Sequence, residues 1–204
     1  RADADLPDQA QNAFNFGAEG VGLCRTEHMF FDPAKLIYFQ AMIGADTTAI
    51  REKALAKILP LQKKDFTGIL EAMKGKPVTI RFLDPPLHEF IPKDADGTRK
   101  VQQVLKEEGT NIGLDELTAK FNSLKEFNPM LGHRGCRLTI TYPEIYKMQT
   151  EAVTLAAIDC KKRGIPVKPM IMIPIVCDPV ELGMIRKECE EVIEKVEKAN
   201  GVKI

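Results

Sequence analysis

The stretch VGLCRTEHMFF, residues 21–31, passes directly from an apolar run into three ionisable side chains. Residues 18–24 have the length and composition of a short buried strand, about six residues long, bounded by glycine. Arg25, Glu27 and His28 then stand where that strand should end. The stretch therefore predicts a buried strand with charged groups at its carboxyl end.

Further segments of the chain share this character. Residues 77–83, PVTIRFL, are rich in branched and aromatic side chains and place Arg81 near the end of a second strand. A third strand end is predicted around residues 130–132, just before Arg134. Residues 167–176, VKPMIMIPIV, form a nearly unbroken apolar run, which is typical of a strand covered on both faces. Four strands are predicted in all.

Helical patterns separate these strands. Proline starts, glycine ends and apolar spacings of three and four residues predict the helices. They are expected over residues 33–44, 47–59, 62–74, about 98–107, 114–125, 143–162 and 179–199, with residues 85–113 forming a long excursion. Strands that alternate with helices form parallel sheets with crossover helices, so we expect an α/β fold.

Three arginines occupy the predicted strand ends: Arg25, Arg81 and Arg134. Because the carboxyl ends of parallel strands meet at one edge, their planar guanidinium groups should converge on a phosphate or carboxylate. The alternative is that each arginine pairs with a carboxylate and only holds a loop; the candidate partners are Glu27, Asp84, Glu89 and Asp159. Grouped cations repel one another, so an anionic ligand or interleaved carboxylates must lie between them.

The overall charge argues against a polyanionic partner. The 29 basic and 29 acidic residues cancel, so we expect no binding of nucleic acid or of a membrane surface. Apolar runs stay well short of the ~18 residues of a membrane span, and the first ten residues, RADADLPDQA, lack the features of a signal peptide. We therefore expect a cytoplasmic protein, and a location in an organelle stays open. The sequence starts at an arginine and ends just after a long polar helix, so we expect it to be a piece of a longer chain.

The cysteines and histidines do not form a recognisable metal or disulfide pattern. Five widely spaced cysteines without a CxxC pair indicate reduced thiols. His28, His88 and His133 lie far apart and lack the HxH or HExxH spacing of metal ligands. We expect no metal site within this chain.

Three long motifs in order carry a family resemblance: GAEGVGLCRTEHMFF at residues 17–31, RFLDPPLHEFIP at residues 81–92 and FNPMLGHRGCRL at residues 127–138. Together they closely resemble the phosphoenolpyruvate/pyruvate-binding domain of the pyruvate phosphate dikinases, and the resemblance covers nearly the whole chain. It implies a (β/α)8 TIM barrel that binds phosphoenolpyruvate (PEP) at the carboxyl ends of its strands. Arg25 and Arg81 match substrate-binding arginines, and Arg134 matches a third, with Arg137 open as the alternative.

The resemblance also implies a reaction that this chain cannot complete alone. The family interconverts ATP, phosphate and pyruvate with AMP, diphosphate and PEP through a phosphohistidine on a mobile domain, with Mg2+. The motifs of the phosphohistidine, the magnesium carboxylates and the proton-donating cysteine do not occur here. Residues 1–204 are therefore expected to be the N-terminal half of the barrel domain, about four strands, with no catalytic residue. Its expected partners are PEP or pyruvate, the phosphohistidine domain of the same parent chain, and a second copy of the parent in a homodimer.

Two other functions stay open at this point. The chain could be a non-catalytic anion-binding or assembly module derived from the same barrel. It could also act as an enzyme I-like phosphotransferase, because relatives of that type share a GLxRTE-like element. In each case a half barrel would expose sheet edges and half of its core, so we expect either a larger chain or self-association.

Overall fold

Four parallel strands form one open sheet in the computed structural model, which describes residues 1–84 and 86–204. In spatial and chain order the strands are β1 (Ala2–Asp3), β2 (Val21–Arg25), β3 (Pro77–Arg81) and β4 (Lys168–Met172). The predicted α/β fold with about four parallel strands and crossover helices is confirmed. Pro85, which belongs to the RFLDPPLHEFIP motif and begins the predicted excursion, lies outside the described residues.

Eight α-helices are described beside the sheet. They are α1 (Pro7–Asn15), α2 (Pro33–Gly44), α3 (Thr48–Met73), α4 (Ala95–Glu107), α5 (Leu114–Ser123), α6 (Cys136–Thr141), α7 (Glu144–Lys162) and α8 (Pro179–Asn200). Short 3-10 helices follow β2 at Thr26–Phe31 and β3 at Leu87–Glu89. Helix α7 packs against α3 and α8, and together with α3 it covers the sheet. Of the described helices, none is long and apolar enough to cross a membrane.

The prediction of a strand that ends around residues 130–132 is wrong. That stretch forms turns and bends, and its Met130 and Leu131 side chains are exposed. It lacks β-branched residues and is bounded by turn-forming proline and glycine, which explains why no strand forms. The strand that the prediction missed is β1, where the Ala2 amide donates to Gly20 O at 3.0 Å. Two residues are too short to show an alternating pattern.

The helices predicted over residues 47–59 and 62–74 form one 26-residue helix, α3, which runs through Pro60. An internal proline costs on the order of 3 kcal/mol because it removes a hydrogen bond and crowds the preceding turn. Burial on both sides of the proline offsets this cost, since side chains such as Ile58 and Phe66 are fully buried and each contributes about 1.5–3 kcal/mol. Tertiary packing therefore overrides the local stop signal.

Strand β4 is less buried than its apolar sequence predicts. Met170 and Met172 are 41% and 38% exposed, whereas the intervening Ile171 packs against the core. Their shared face, here called the β4 face, is open because the described chain places no layer over it. The prediction that both faces of this strand are covered is therefore wrong for this chain.

Candidate functional site

The register of the sheet brings two of the predicted arginines together. Arg25 is the last residue of β2, Arg81 is the last residue of β3, and the two are register partners in the parallel pairing. Asp5 follows β1 at the same edge. Parallel strands thus deliver Arg25 and Arg81 to neighbouring positions at the carboxyl end of the sheet, as the sequence predicted.

Arg25 is held by a carboxylate that the sequence reasoning missed. Its Nη2 lies 2.9 Å from Oδ2 of the buried Asp5, and its backbone amide donates to Oδ1 at 2.7 Å. The hydrogen bond to Asp5 raises the pKa of Arg25, so its charge is secure. Nδ1 of His28 lies 2.7 Å from the same Asp5 Oδ2. Asp5 could not be recognised from the sequence, because the two-residue strand before it is too short to show an apolar run.

Arg81 and Arg134 share a second carboxylate. Arg81 pairs with Glu27, and its Nη1 lies 3.6 Å from Oδ2 of Asp84. Arg134 donates from Nε to Asp84 Oδ1 at 3.0 Å and from Nη2 to Oδ2 at 3.2 Å. The Asp84 side chain is only 4% exposed. Cations and carboxylates therefore alternate along this edge. Of the candidate partners named from the sequence, Glu27 and Asp84 pair with these arginines, whereas Asp159 pairs with Lys63.

Arg134 reaches this edge from a turn and not from a strand end, which corrects the prediction. It lies just before α6, and its Nε also donates to the backbone oxygen of Asp84 at 2.9 Å. The next residue, Gly135, has φ of +57°, and a Cβ there would overlap Ile175 and lie 2.9 Å from Oδ1 of Asp84. Only glycine permits this close approach without strain. Arg137 donates to the carbonyls of Leu131 and Gly132 and so holds the preceding turn.

We call the resulting group the strand-end cluster; it consists of Asp5, Arg25, Glu27, Arg81, Asp84 and Arg134. Its three arginine side chains are 35%, 22% and 16% exposed in chain order, so none of them is fully buried. Within the described residues, Arg81 Nε and Glu27 Oε2 are buried without a hydrogen-bond partner. Leaving such atoms unsatisfied costs about 1–3 kcal/mol each, and a polar ligand or a small rearrangement would recover it.

The chemistry that this arrangement offers is recognition and charge stabilisation. Planar guanidinium groups bind phosphate or carboxylate oxygens with paired hydrogen bonds, and they stay charged at all relevant pH. Burial raises the pKa of the adjacent Cys24 thiol well above its ordinary value, so this thiol is not activated as a nucleophile. The guanidinium groups of the cluster are therefore suited to hold an anion.

The cluster does not fit a metal ion. In the part of the chain that the structure describes, no group of three or more histidine, cysteine, aspartate or glutamate side chains is arranged to bind one. Asp84 and Glu27 are engaged by arginines, which compete for the oxygens that Mg2+ requires.

Comparisons with known proteins agree on one family. The family model described as "PEP-utilising enzyme, PEP-binding domain" matches residues 1–204. A pyruvate, phosphate dikinase of Clostridium symbiosum is 47% identical over 202 residues, which is 98% of this chain and 22% of the relative. The pyruvate, phosphate dikinase of Rhizobium meliloti (strain 1021) is 47% identical over 100% of this chain, and the chloroplastic pyruvate, phosphate dikinase 1 of Oryza sativa subsp. japonica is 46% identical over 100%. The chain spans about 22% of the length of these relatives.

Proposed function

The chain belongs to the PEP-utilising enzyme family, PEP-binding domain, and on that premise we propose that it is the PEP/pyruvate-binding segment of a pyruvate phosphate dikinase. One observation carries the proposal: Arg25 and Arg81 lie in register at the carboxyl edge of the sheet. Two guanidinium groups on adjacent strands at that edge suit a small dianion. The family match over the whole chain supports the same ligand class.

Within this proposal the arginines bind the substrate. Arg25, Arg81 and Arg134 contact the phosphoryl and carboxylate oxygens of PEP, and Arg134 is favoured over Arg137 because it joins the cluster through Asp84. Their fixed positive charges stabilise the negative charge that develops as the phosphoryl group is transferred. The proposal assigns no nucleophile, proton donor or metal ligand to these residues.

The wider reaction and its partners belong to the parent protein. We propose that the parent interconverts ATP, phosphate and pyruvate with AMP, diphosphate and PEP through a phosphohistidine domain of the same chain. Mg2+ would be bound by carboxylates outside residues 1–204, and the parent would form a homodimer. A cytoplasmic location is proposed, with an organelle as the alternative, since three similar dikinases are named as chloroplastic.

The open sheet supports the proposed domain organisation. We propose that residues 1–204 are the N-terminal half of a (β/α)8 barrel, and that the remaining strands pack beside β4. The exposed Met170 and Met172 side chains support this placement, because barrel interiors are filled by apolar side chains from every strand.

Substitution of the cluster arginines tests the proposed function. In the full-length protein, Arg25→Ala and Arg81→Ala should each cost about 2–4 kcal/mol of transition-state stabilisation, similar to the loss of one oxyanion-hole donor. The measurement is kcat/KM for PEP in the pyruvate-forming direction. Arg99→Ala is the matched control, because Arg99 is an exposed arginine whose ion pair with Asp96 is also exposed. A change below about threefold in both cluster variants would remove these residues from the site.

One observation favours a second candidate function. All three arginines already pair with carboxylates, as arginines that only hold loops do, and this favours a non-catalytic anion-binding or assembly module derived from the same barrel. The same assay separates the two, since a folded full-length protein that converts no PEP with AMP and diphosphate would support the module.

A further inference from the structure

A buried amide on α7 connects the two strand ends that carry Arg25 and Arg81. Gln149 is fully buried, and its side chain reaches from the helix to the carboxyl end of the sheet. Its Oε1 accepts from the backbone amide of Leu83 at 2.9 Å. A backbone N–H can only donate, so the oxygen of the amide must face Leu83 and the NH2 group must face the other way.

The NH2 group of Gln149 reaches the neighbouring strand end. Its Nε2 donates to Oγ1 of Thr26 at 3.1 Å and to Oε1 of Gln62 at 3.3 Å. Thr26 directly follows Arg25, and it is fully buried, as is Gln62. One side chain thus bridges the backbone beyond β3 and the side chain beyond β2.

Helix α7 holds the end of β3 at a second point. The hydroxyl of Tyr146, one turn before Gln149, donates to the carbonyl of Leu83 at 2.8 Å. Leu83 lies between Arg81 and Asp84 in the sequence. Side chains of α7 therefore satisfy both the backbone N–H and the backbone carbonyl of Leu83. Two hydrogen bonds from α7 therefore restrain the backbone just beyond β3.

We propose that Gln149 is a positioning residue that fixes the spacing between the Arg25 and Arg81 guanidinium groups. Arg25 pairs with Asp5, whereas Arg81 pairs with Glu27, which lies two residues beyond Arg25, so this ion pair also joins the two strand ends. Beyond the last register pair of the sheet, the Gln149 bridge adds a connection between the two strand ends that consists of fully buried groups. The inference rests on the proposed function, because the spacing matters only if an anion lies between the arginines.

The test compares Gln149→Met with Thr154→Val in the full-length protein. Methionine keeps the length of the side chain but removes both arms of the bridge. Thr154 is also buried on α7, yet its Oγ1 donates only to the helix carbonyl of Thr150 at 2.7 Å. Thr154→Val therefore reports the general cost of losing a buried polar group on this helix without touching the strand ends.

The measurements are PEP affinity at a temperature where both variants are folded, and amide hydrogen exchange over residues 21–31 and 77–84. Gln149→Met should weaken PEP binding by at least about tenfold, because small displacements of binding groups are costly, and it should speed exchange in both segments together. Thr154→Val should leave both readouts unchanged. PEP affinity within about twofold of the unsubstituted protein, or unchanged exchange in either segment, would overturn the inference.

A milder variant keeps the test decisive if Gln149→Met does not fold. Thr26→Val removes only the arm toward β2, and we expect an affinity loss of about threefold to fivefold with faster exchange over residues 21–31. Unchanged affinity and exchange in this variant would equally refute the bridge. If the unsubstituted protein binds no PEP, the proposed function fails, and the exchange comparison alone then decides whether Gln149 couples the two segments.

Discussion

Two regions at the sheet differ in what they leave exposed. In the strand-end cluster, side chains of opposite charge pair with one another, and a buried polar contact joins the segments behind them. On the β4 face, Met170 and Met172 remain open, and the first turns of α8 also expose Val180 and Met184. Charged groups would tolerate solvent better than apolar ones, yet here the charged groups are the more enclosed.

The difference shows which interactions this chain can complete by itself. Asp5, Arg25, Arg81 and Asp84 lie within a few residues of adjacent parallel strands, so their pairing requires only the register of the sheet. Covering the β4 face requires a further layer of structure. The comparison therefore indicates that residues of this chain complete the strand-end cluster, whereas the described residues leave the β4 face uncovered.

The largest effect is expected at Asp84. Asp84→Ala should lower the free energy of unfolding by about 3–5 kcal/mol, because it leaves Arg134 and Arg81 as largely buried cations without their shared partner. Urea unfolding measures this. Asp96→Ala is the control, since its ion pair with Arg99 is exposed and should contribute under about 1 kcal/mol. An equal decrease in the free energy of unfolding for the two variants would mean that the ion pairs of the cluster contribute no more than exposed ion pairs do.

Two glycines should respond to alanine in opposite directions. Gly135→Ala should destabilise the fold by about 1–3 kcal/mol, because a Cβ would overlap Ile175 at a positive φ beside the cluster. Gly183→Ala should stabilise it by about 0.5–1 kcal/mol, since Gly183 lies within α8 and a Cβ would meet open space among the described residues. Thermal unfolding of both variants measures the difference, and the same sign for both would contradict the close packing at Gly135.

The β4 face should matter for association more than for stability. Met170→Ser combined with Met172→Ser should lower the free energy of unfolding of the 204-residue chain by about 1–2 kcal/mol, less than the loss of two fully buried methionines, because both side chains are partly exposed. The variant should also reduce any dependence of the urea midpoint on protein concentration. A concentration-independent, cooperative transition in the unsubstituted chain would count against self-association through this face.

The smallest effect concerns Glu181 at the start of α8. Hydrogen bonds from the backbone amides of Cys177 and Asp178 lower the pKa of Glu181 below its ordinary value of 4.5. The folded state therefore binds this proton less tightly than the unfolded state, so the contribution to stability is present above pH 4.5 and is lost as the pH falls through the lowered pKa. Glu181→Gln should be less stable than the unsubstituted chain at pH 7 and should converge with it in acid. A difference that persists in acid would contradict this assignment.

The sequence predicted the parts of the molecule that have strong local signals. Helices α2, α7 and α8 follow proline starts, and Arg25 and Arg81 were found because each ends an apolar run. Helix α1 was also not predicted, and strand β1 and the short helix α6 were missed because they are too short to show a period. The continuity of α3 through Pro60 depends on distant packing, which a local pattern does not contain.

The candidate site was only partly predictable for the same reason. The arginines could be identified because each is a charged residue at the end of an apolar run. Asp5 and Gln149 have no such sequence pattern, and only the fold places them at the strand ends. Arg134 was predicted at the right edge for a wrong reason, since it arrives there from a turn. Long-range placement, which residue spacing does not encode, decides these roles.

Titration of the full-length protein with PEP, with and without Mg2+, tests the central claim most directly. We expect saturable binding to the unsubstituted protein that weakens at least about tenfold in Arg25→Ala and in Arg81→Ala, because each variant removes a charged donor from a shared anion site. Arg99→Ala should bind as the unsubstituted protein does. If both cluster variants remain folded and bind PEP within about threefold of the unsubstituted protein, the arginines at the strand ends are not the binding site.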